Sequence, residues 1–190
     1  MQQELDQILQ NCINHLKEAK SSKNNFHFPV IGSVNNNEVE LRIVVLRDFI
    51  EDENILVFYT DFRSPKINQI ESNPIVSFLF YDGDIREQLR IKTKSKIHHH
   101  DDISLKYWEM IKPENRRDYA SKNSPSSPSN DISNYLEGDW LVNSEDYYQN
   151  FAVVLNEILE IDWLIINREI NKRARFSLRE SGFISEWLVP

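Results

Sequence analysis

The chain has a single cysteine, Cys12, among 190 residues. One thiol excludes an internal disulfide and a cysteine-based zinc centre. No apolar run is long enough to cross a bilayer, so no membrane partner is expected. The first ten residues, MQQELDQILQ, lack the basic stretch and apolar core of a secretory signal. Positive charge is scarce as well: 22 lysines and arginines stand against 30 acidic residues, a net charge of -8. So acidic a chain does not attract nucleic acid in general, and any basic site must be local. These absences lead to the expectation of a soluble cytoplasmic protein without nucleic-acid partners.

What is present is enough for a core. Hydrophobic residues make up 40% of the chain and aromatic residues 11%. That argues against disorder and for one domain over 1–190. Leu5, Ile8, Leu9, Cys12, Ile13 and Leu16 recur at helical spacing and predict an amphipathic helix over 3–20. Its mixed charges fit a cap on the fold better than a membrane-surface helix, and Cys12 on its apolar face reads as an inert buried thiol. Strands are expected at 26–34, 38–48, 54–60, 75–81, 86–97, 151–155, 158–166 and 173–179, with a hairpin turn at Asn35–Asn37. A further helix is expected at 101–112. Residues 113–135 are rich in Pro, Ser and Asn and read as a mobile polar loop. Many short strands and few helices predict an antiparallel barrel with peripheral helices.

One stretch concentrates the scarce positive charge. Arg42, Arg47, Arg63 and Lys66 lie among apolar strand-like runs between Leu41 and Lys96. Ser64 is a good N-cap, Pro65 fits the first helical position, and Asn73-Pro74 ends the helix. A helix start presents free N–H groups and a partial positive charge. With Arg63, Lys66, Tyr59 and Thr60 beside it, this start suits a phosphate; an ordinary capped helix with solvated cations is the plainer reading.

These residues resemble the pyridoxamine 5'-phosphate oxidase family, in its divergent branch. LRIVVLR, with Arg42 and Arg47, matches a strand opened by Arg and closed by a cation. YTDFRSPK matches a Tyr-Thr pair followed by a Ser-Arg-Lys helix start, with Pro65 in place of the Arg. NPIVSFLFY and Gln88 in REQLRI follow in register, and SKNS resembles a later Gln-Ser loop. The resemblance implies a mainly β fold, a six-stranded antiparallel FMN-binding split barrel with flanking helices. It implies FMN as cofactor, held at the interface of a homodimer. Arg42, Lys66 and Ser64 would hold the phosphate. Ile43, Val44, Val45 and Leu46 would meet the flavin ring through their backbone, with Arg47, Tyr59 and Thr60 alongside and Gln88 bonded to the ring. Asn123, Ser124, Trp163 and Arg175 would come from the partner subunit.

The family's substrate residues match less well. Arg47, Tyr107 and Arg173 are the candidates, whereas Arg116 and Arg117 are displaced and the Arg-x-His pair falls at Asn171 and Arg173. The implied activity is hydride transfer from a small-molecule substrate to FMN, with no catalytic acid or base identified. The alternative is a noncatalytic flavin-binding or flavin-sensing protein; the same barrel holding a deazaflavin or haem is a third reading. No metal site is expected. His98, His99 and His100 are adjacent on a strand end and point to alternate faces, so a solvated strand end is the reading preferred to a metal tripod. Trp108, Trp140 and Trp187 read as packing residues.

Overall fold

The computed structural model describes residues 1–21, 23–130, 135–136 and 144–190, so Trp140 lies outside the described residues. In chain order the regular elements are α1 (Gln2–Glu18), β1 (Val30–Asn35), β2 (Glu38–Ile43), β3 (Leu46–Ile50), β4 (Ile55–Asp61), α2 (Pro65–Ser72), β5 (Ile75–Asp82), β6 (Glu87–His98), α3 (Asp102–Glu109), β7 (Phe151–Ile165), β8 (Lys172–Arg179) and β9 (Gly182–Leu188). All strand pairings are antiparallel, in the order β2-β1-β5-β6-β7-β4-β3, with β8 on β7 and β9 on β8. The expected mainly β class with peripheral helices stands. The sheet has nine strands rather than six.

Three local events turn the eight strand runs expected along the sequence into the nine observed. The run expected at 38–48 breaks at Val44 and Val45, where β2 leaves β1 and β3 joins β4. The Val44 amide donates to the Pro29 carbonyl at 3.0 Å, which fixes the break. The runs expected at 151–155 and 158–166 are instead one strand, β7. The tail, for which the sequence predicts no strand, folds back on β8 as β9 after a turn at Gly182, whose φ of +105° is open to glycine without strain. The Asn36-Asn37 turn joins β1 and β2 with both residues at positive φ, a turn that matches the twist of a two-residue hairpin.

The strand β7 divides the barrel. Its first half pairs with β4 through Glu157, and its second half pairs with β8 from Glu160 onward. Asn156 sits at this fork, fully buried. Its amide donates to the carbonyls of Leu56 and Val154, both at 2.9 Å, and its oxygen accepts from the Ser95 hydroxyl at 2.6 Å. One side chain thus ties the fork to both neighbouring strands, with every polar atom satisfied.

Two apolar clusters fill the structure. The larger joins Leu5, Ile8, Cys12, Ile13 and Leu16 of α1 to Leu46, Phe58, Phe78, Phe80, Trp163 and Phe176. α1 therefore closes one end of the barrel, and Cys12 is fully buried. Burial pushes its thiol well above the usual range, which keeps it inert. The smaller cluster packs Tyr107, Trp108, Tyr119, Tyr147 and Phe151 against Val57. Trp108 is buried in it, and Trp187 packs half-buried against the larger one.

Residues 113–135 are not an open loop from the start. A 3-10 helix covers Pro113–Tyr119 and buries Arg116 and Tyr119. Arg116 lies over the Trp108 ring at 4.5 Å and pairs with Glu145. The histidine run departs from expectation too. His98 is buried and bonds Asp101 at 2.7 Å, while His99 stacks on Phe62 with ring centroids 3.7 Å apart and bonds the Phe151 carbonyl. Asp101 also caps α3 by accepting from the Ser104 amide at 2.8 Å. The run is a packed corner, not a solvated end.

Asn156→Ala removes three buried side-chain hydrogen bonds and takes the acceptor from the buried Ser95 hydroxyl, so it should lower unfolding free energy by about 2–4 kcal/mol. Urea denaturation checks this, and a loss below about 1 kcal/mol would remove Asn156 from this role.

Candidate functional site

The break between β2 and β3 forms the floor of a cleft of about 680 Å³. That volume lies in the usual range for small-molecule sites. Arg42, Ile43, Val44 and Val45 come from the break, Arg47 from β3, and Tyr59, Thr60 and Asp61 from the end of β4. Ser64, Pro65 and Lys66 come from the start of α2, and Asp118, Tyr119, Pro125 and Ser126 close the far wall.

One end of the cleft is cationic. The Lys66 ammonium donates to the hydroxyls of Thr60 at 2.9 Å and Ser64 at 2.5 Å, and no carboxylate among the described residues pairs with it. Ser64 therefore caps nothing; its hydroxyl serves Lys66 rather than the helix amides. Burial lowers the Lys66 ammonium from its ordinary range, the nearby Arg42 lowers it further, and Asp61 partly offsets both. Two cations thus share one half-buried region, which is the field an anion would neutralise.

Arg42 is held from behind. Its guanidinium donates to Gln69 Oε1 at 2.9 Å, to Glu40 at 3.1 Å and to the Ser33 hydroxyl. Ser33 in turn donates to Gln69 Oε1 at 2.6 Å. Both Ser33 and Gln69 are buried. Arg63 behaves differently from the sequence expectation. It grips Asp61 through two bonds of 3.0 and 2.6 Å and donates to the Ser121 carbonyl at 3.0 Å. It braces the cleft wall and does not line the cleft.

The other end is apolar and aromatic. Tyr59 packs between Tyr107 and Phe151, with centroid distances of 5.7 and 5.2 Å. Burial and neighbouring Tyr107 push its phenol up to about 12, against the pull of Arg47. Arg47 lies over the Tyr59 ring at 5.5 Å. It occupies a β-bulge: Leu46 faces Phe58 and Asp48 faces Val57, leaving Arg47 as the extra residue.

The expected residues therefore divide. Arg42, Ile43, Val44, Val45, Arg47, Tyr59, Thr60, Ser64 and Lys66 converge on the cleft. Leu46 sends its side chain into the core. Tyr107 stands behind Tyr59 in the second core cluster. Gln88 does not line the cleft; it lies on β6 opposite Tyr81 and Leu164. Asn123 and Ser124 precede the cleft residues Pro125 and Ser126, and their carbonyls accept from Ser121 and Ser127. Trp163 is buried in the core opposite Ala174. Arg175 donates to Glu186 at 2.9 Å, and Arg173 donates to Asp162 at 3.0 and 2.8 Å. Sequence reasoning missed Gln69, Asp118 and Tyr119. Only Tyr119, an aromatic in a polar stretch, carried any signal.

The family model for the pyridoxamine 5'-phosphate oxidase FMN-binding domain matches residues 2–99. Two curated relatives, each named pyridoxine/pyridoxamine 5'-phosphate oxidase, align over short segments. The protein of Rubrobacter xylanophilus is 43% identical over 51 residues, 27% of this chain and 23% of its own length. That of Escherichia fergusonii is 44% identical over 55 residues, 29% of this chain and 24% of its own. The matched segments thus span about a quarter of these relatives. Among solved structures, a pyridoxamine 5'-phosphate oxidase-related, FMN-binding protein of Nostoc punctiforme superposes with a TM-score of 0.77. It is 23% identical, with 95% of this chain and 96% of that chain covered. PhzG of Burkholderia lata, solved with tetrahydrophenazine-1-carboxylic acid, gives a TM-score of 0.71 at 13% identity, covering 97% and 91%. At these identities the likeness shows the fold.

The lowered Lys66 ammonium has a measurable sign. An unfolded lysine titrates near about 10.4, above the folded group, so the cost is fully present at neutral pH and fades as pH rises toward that value. Without ligand, Lys66→Met should melt at least as high as the parent at pH 7, with any gain shrinking toward pH 10. Differential scanning fluorimetry across pH checks it; a clearly lower melting point at pH 7 would contradict the assignment.

Proposed function

The chain belongs to the pyridoxamine 5'-phosphate oxidase family of FMN-binding domains, and from that premise we propose an FMN-dependent oxidoreductase acting on a small-molecule substrate in the cytoplasm. The observation that carries this reading is the pairing of Lys66 with Arg42. Two cations, one without a carboxylate partner among the described residues, stand at one end of a cleft whose other walls are apolar and aromatic. That polarity suits a phosphate on one side and a flat ring on the other.

Arg42 and Lys66 bind the phosphate, with Ser64 and Thr60 orienting the ammonium. Val44 and Val45 give the ring an apolar floor, and Tyr59 and Tyr119 help exclude water. Arg47, aimed by its bulge, meets the substrate. The flavin supplies hydride acceptance, chemistry that no side chain here provides. In a homodimer the site is completed from the second copy, with Asn123, Ser124 and Arg175 as the candidates.

A specific observation supports a second reading, a noncatalytic flavin-binding protein. Arg173 is tied to Asp162, and Arg175 to Glu186, within the same chain. Burial raises the Asp162 carboxyl, but bonds from Arg173 and Arg90 outweigh it and hold the group below its usual range. A substrate anion would have to displace these partners.

The protein purified and reconstituted with FMN should show flavin absorbance after gel filtration and a raised melting temperature. Loss of a charge-assisted contact predicts that Lys66→Ala and Arg42→Ala each weaken FMN binding by about tenfold or more. No bound flavin and no stabilisation would sink the proposal. Peroxide release on adding pyridoxamine 5'-phosphate would support the oxidase reading. Flavin bound without turnover of that compound or any other screened amine or alcohol would favour the second.

A further inference from the structure

Behind the cationic end of the cleft, Arg42 enters a buried polar network whose other members are not among the site residues expected from the sequence. Gln69 is its centre. Its Oε1 accepts from Arg42 at 2.9 Å and from the Ser33 hydroxyl at 2.6 Å, and Ser33 accepts from Arg42 as well. The Glu40 carboxyl, bonded by Asn35 and Arg42, is held below its usual range, by Asn35 first and by Gln69 and Arg42 beside it. Gln69 is 5% exposed and Ser33 fully buried. A neutral amide suits this place: its oxygen accepts from the cation and from the Ser33 hydroxyl without cancelling the charge of Arg42.

We infer that Gln69 is a positioning residue that sets the phosphate selectivity of the cleft through Arg42. Glu40 competes with any bound phosphate for the same guanidinium. Gln69 and Ser33 fix the fork from the buried side, so part of it stays directed at the cleft rather than folded onto Glu40. A carboxylate at position 69 would neutralise Arg42 and repel Glu40. An apolar residue of similar size would release the guanidinium to Glu40. Either change acts on the phosphate end and leaves the apolar walls alone.

This inference rests on the FMN reading above, and riboflavin separates the two because it carries the same ring without the phosphate. The measurement is fluorescence titration of FMN and of riboflavin against the parent, Gln69→Glu, Gln69→Leu, Arg42→Ala and Gln69→Leu combined with Arg42→Ala. The parent should prefer FMN strongly. Gln69→Glu and Gln69→Leu should each weaken FMN by about tenfold, the scale of one charge-assisted contact, with riboflavin changed less than about twofold. In the Arg42→Ala background Gln69→Leu should add nothing, because the route runs through the missing guanidinium. Equal losses for both flavins, or an undiminished Gln69→Leu effect without Arg42, would overturn the inference while leaving FMN binding intact. A parent that binds neither flavin would overturn both.

Discussion

Two cations that repel each other, Arg42 and Lys66, are kept within reach of one half-buried cleft. Most of the surrounding construction bears on that repulsion. Lys66 gives its protons to two hydroxyls, which accept without cancelling the charge. Arg42 gives part of its fork to a neutral amide and a serine. Glu40 takes one bond from Arg42, while Asp61, the carboxylate that partly offsets the cations around Lys66, is occupied by Arg63. The chain as a whole is acidic, yet its carboxylates are largely kept off this one point. A protein that needed only a folded barrel would have no reason to hold a half-buried Lys66 beside Arg42 without a carboxylate, since an unpaired buried charge costs stability.

The barrel supplies the rigidity. The fork in β7, pinned by Asn156, lets β4 leave the sheet on one side while β8 continues it on the other. β4 then delivers Tyr59, Thr60 and Asp61 to the cleft, and the turn after it starts α2 at Ser64. His99, stacked on Phe62, packs that turn from beneath. The mouth of the cleft is therefore braced by a long strand and a packed corner that contain none of its lining residues.

How much of this was legible in the sequence depends on the range of the interaction. α1 announced itself through helical periodicity, and α2 through Ser64, Pro65 and Asn73-Pro74, because those signals are local. The convergence of Arg42 with Lys66 was legible only through the family resemblance. Gln69 was not legible, since its partners Ser33 and Arg42 lie on other strands and a lone glutamine in a helix marks nothing. The bulge at Arg47 and the break at Val44 were hidden inside an unbroken apolar run. Tyr119 and Asp118 sat in a stretch whose polar composition argued for an open loop, and tertiary burial of Arg116 and Tyr119 overrode it. Trp163 and Arg175 were legible as motif positions; their contacts within the chain are core packing and surface ion pairs.

The bulge at Arg47 has an evolutionary consequence. Leu46 and Asp48 already face consecutive residues of β4, Phe58 and Val57. Removal of the one codon between them would leave the ladder continuous and both registers unchanged. The cation at the open end of the cleft is therefore separable from the sheet, whereas Arg42 lies inside a regular pair with Ile31 and is not. A lineage can lose, regain or replace the residue at that end in single genetic steps while the Arg42 and Lys66 end stays as it was. Descendants of one such barrel would then differ at the mouth of the cleft long before they differ at its cationic end.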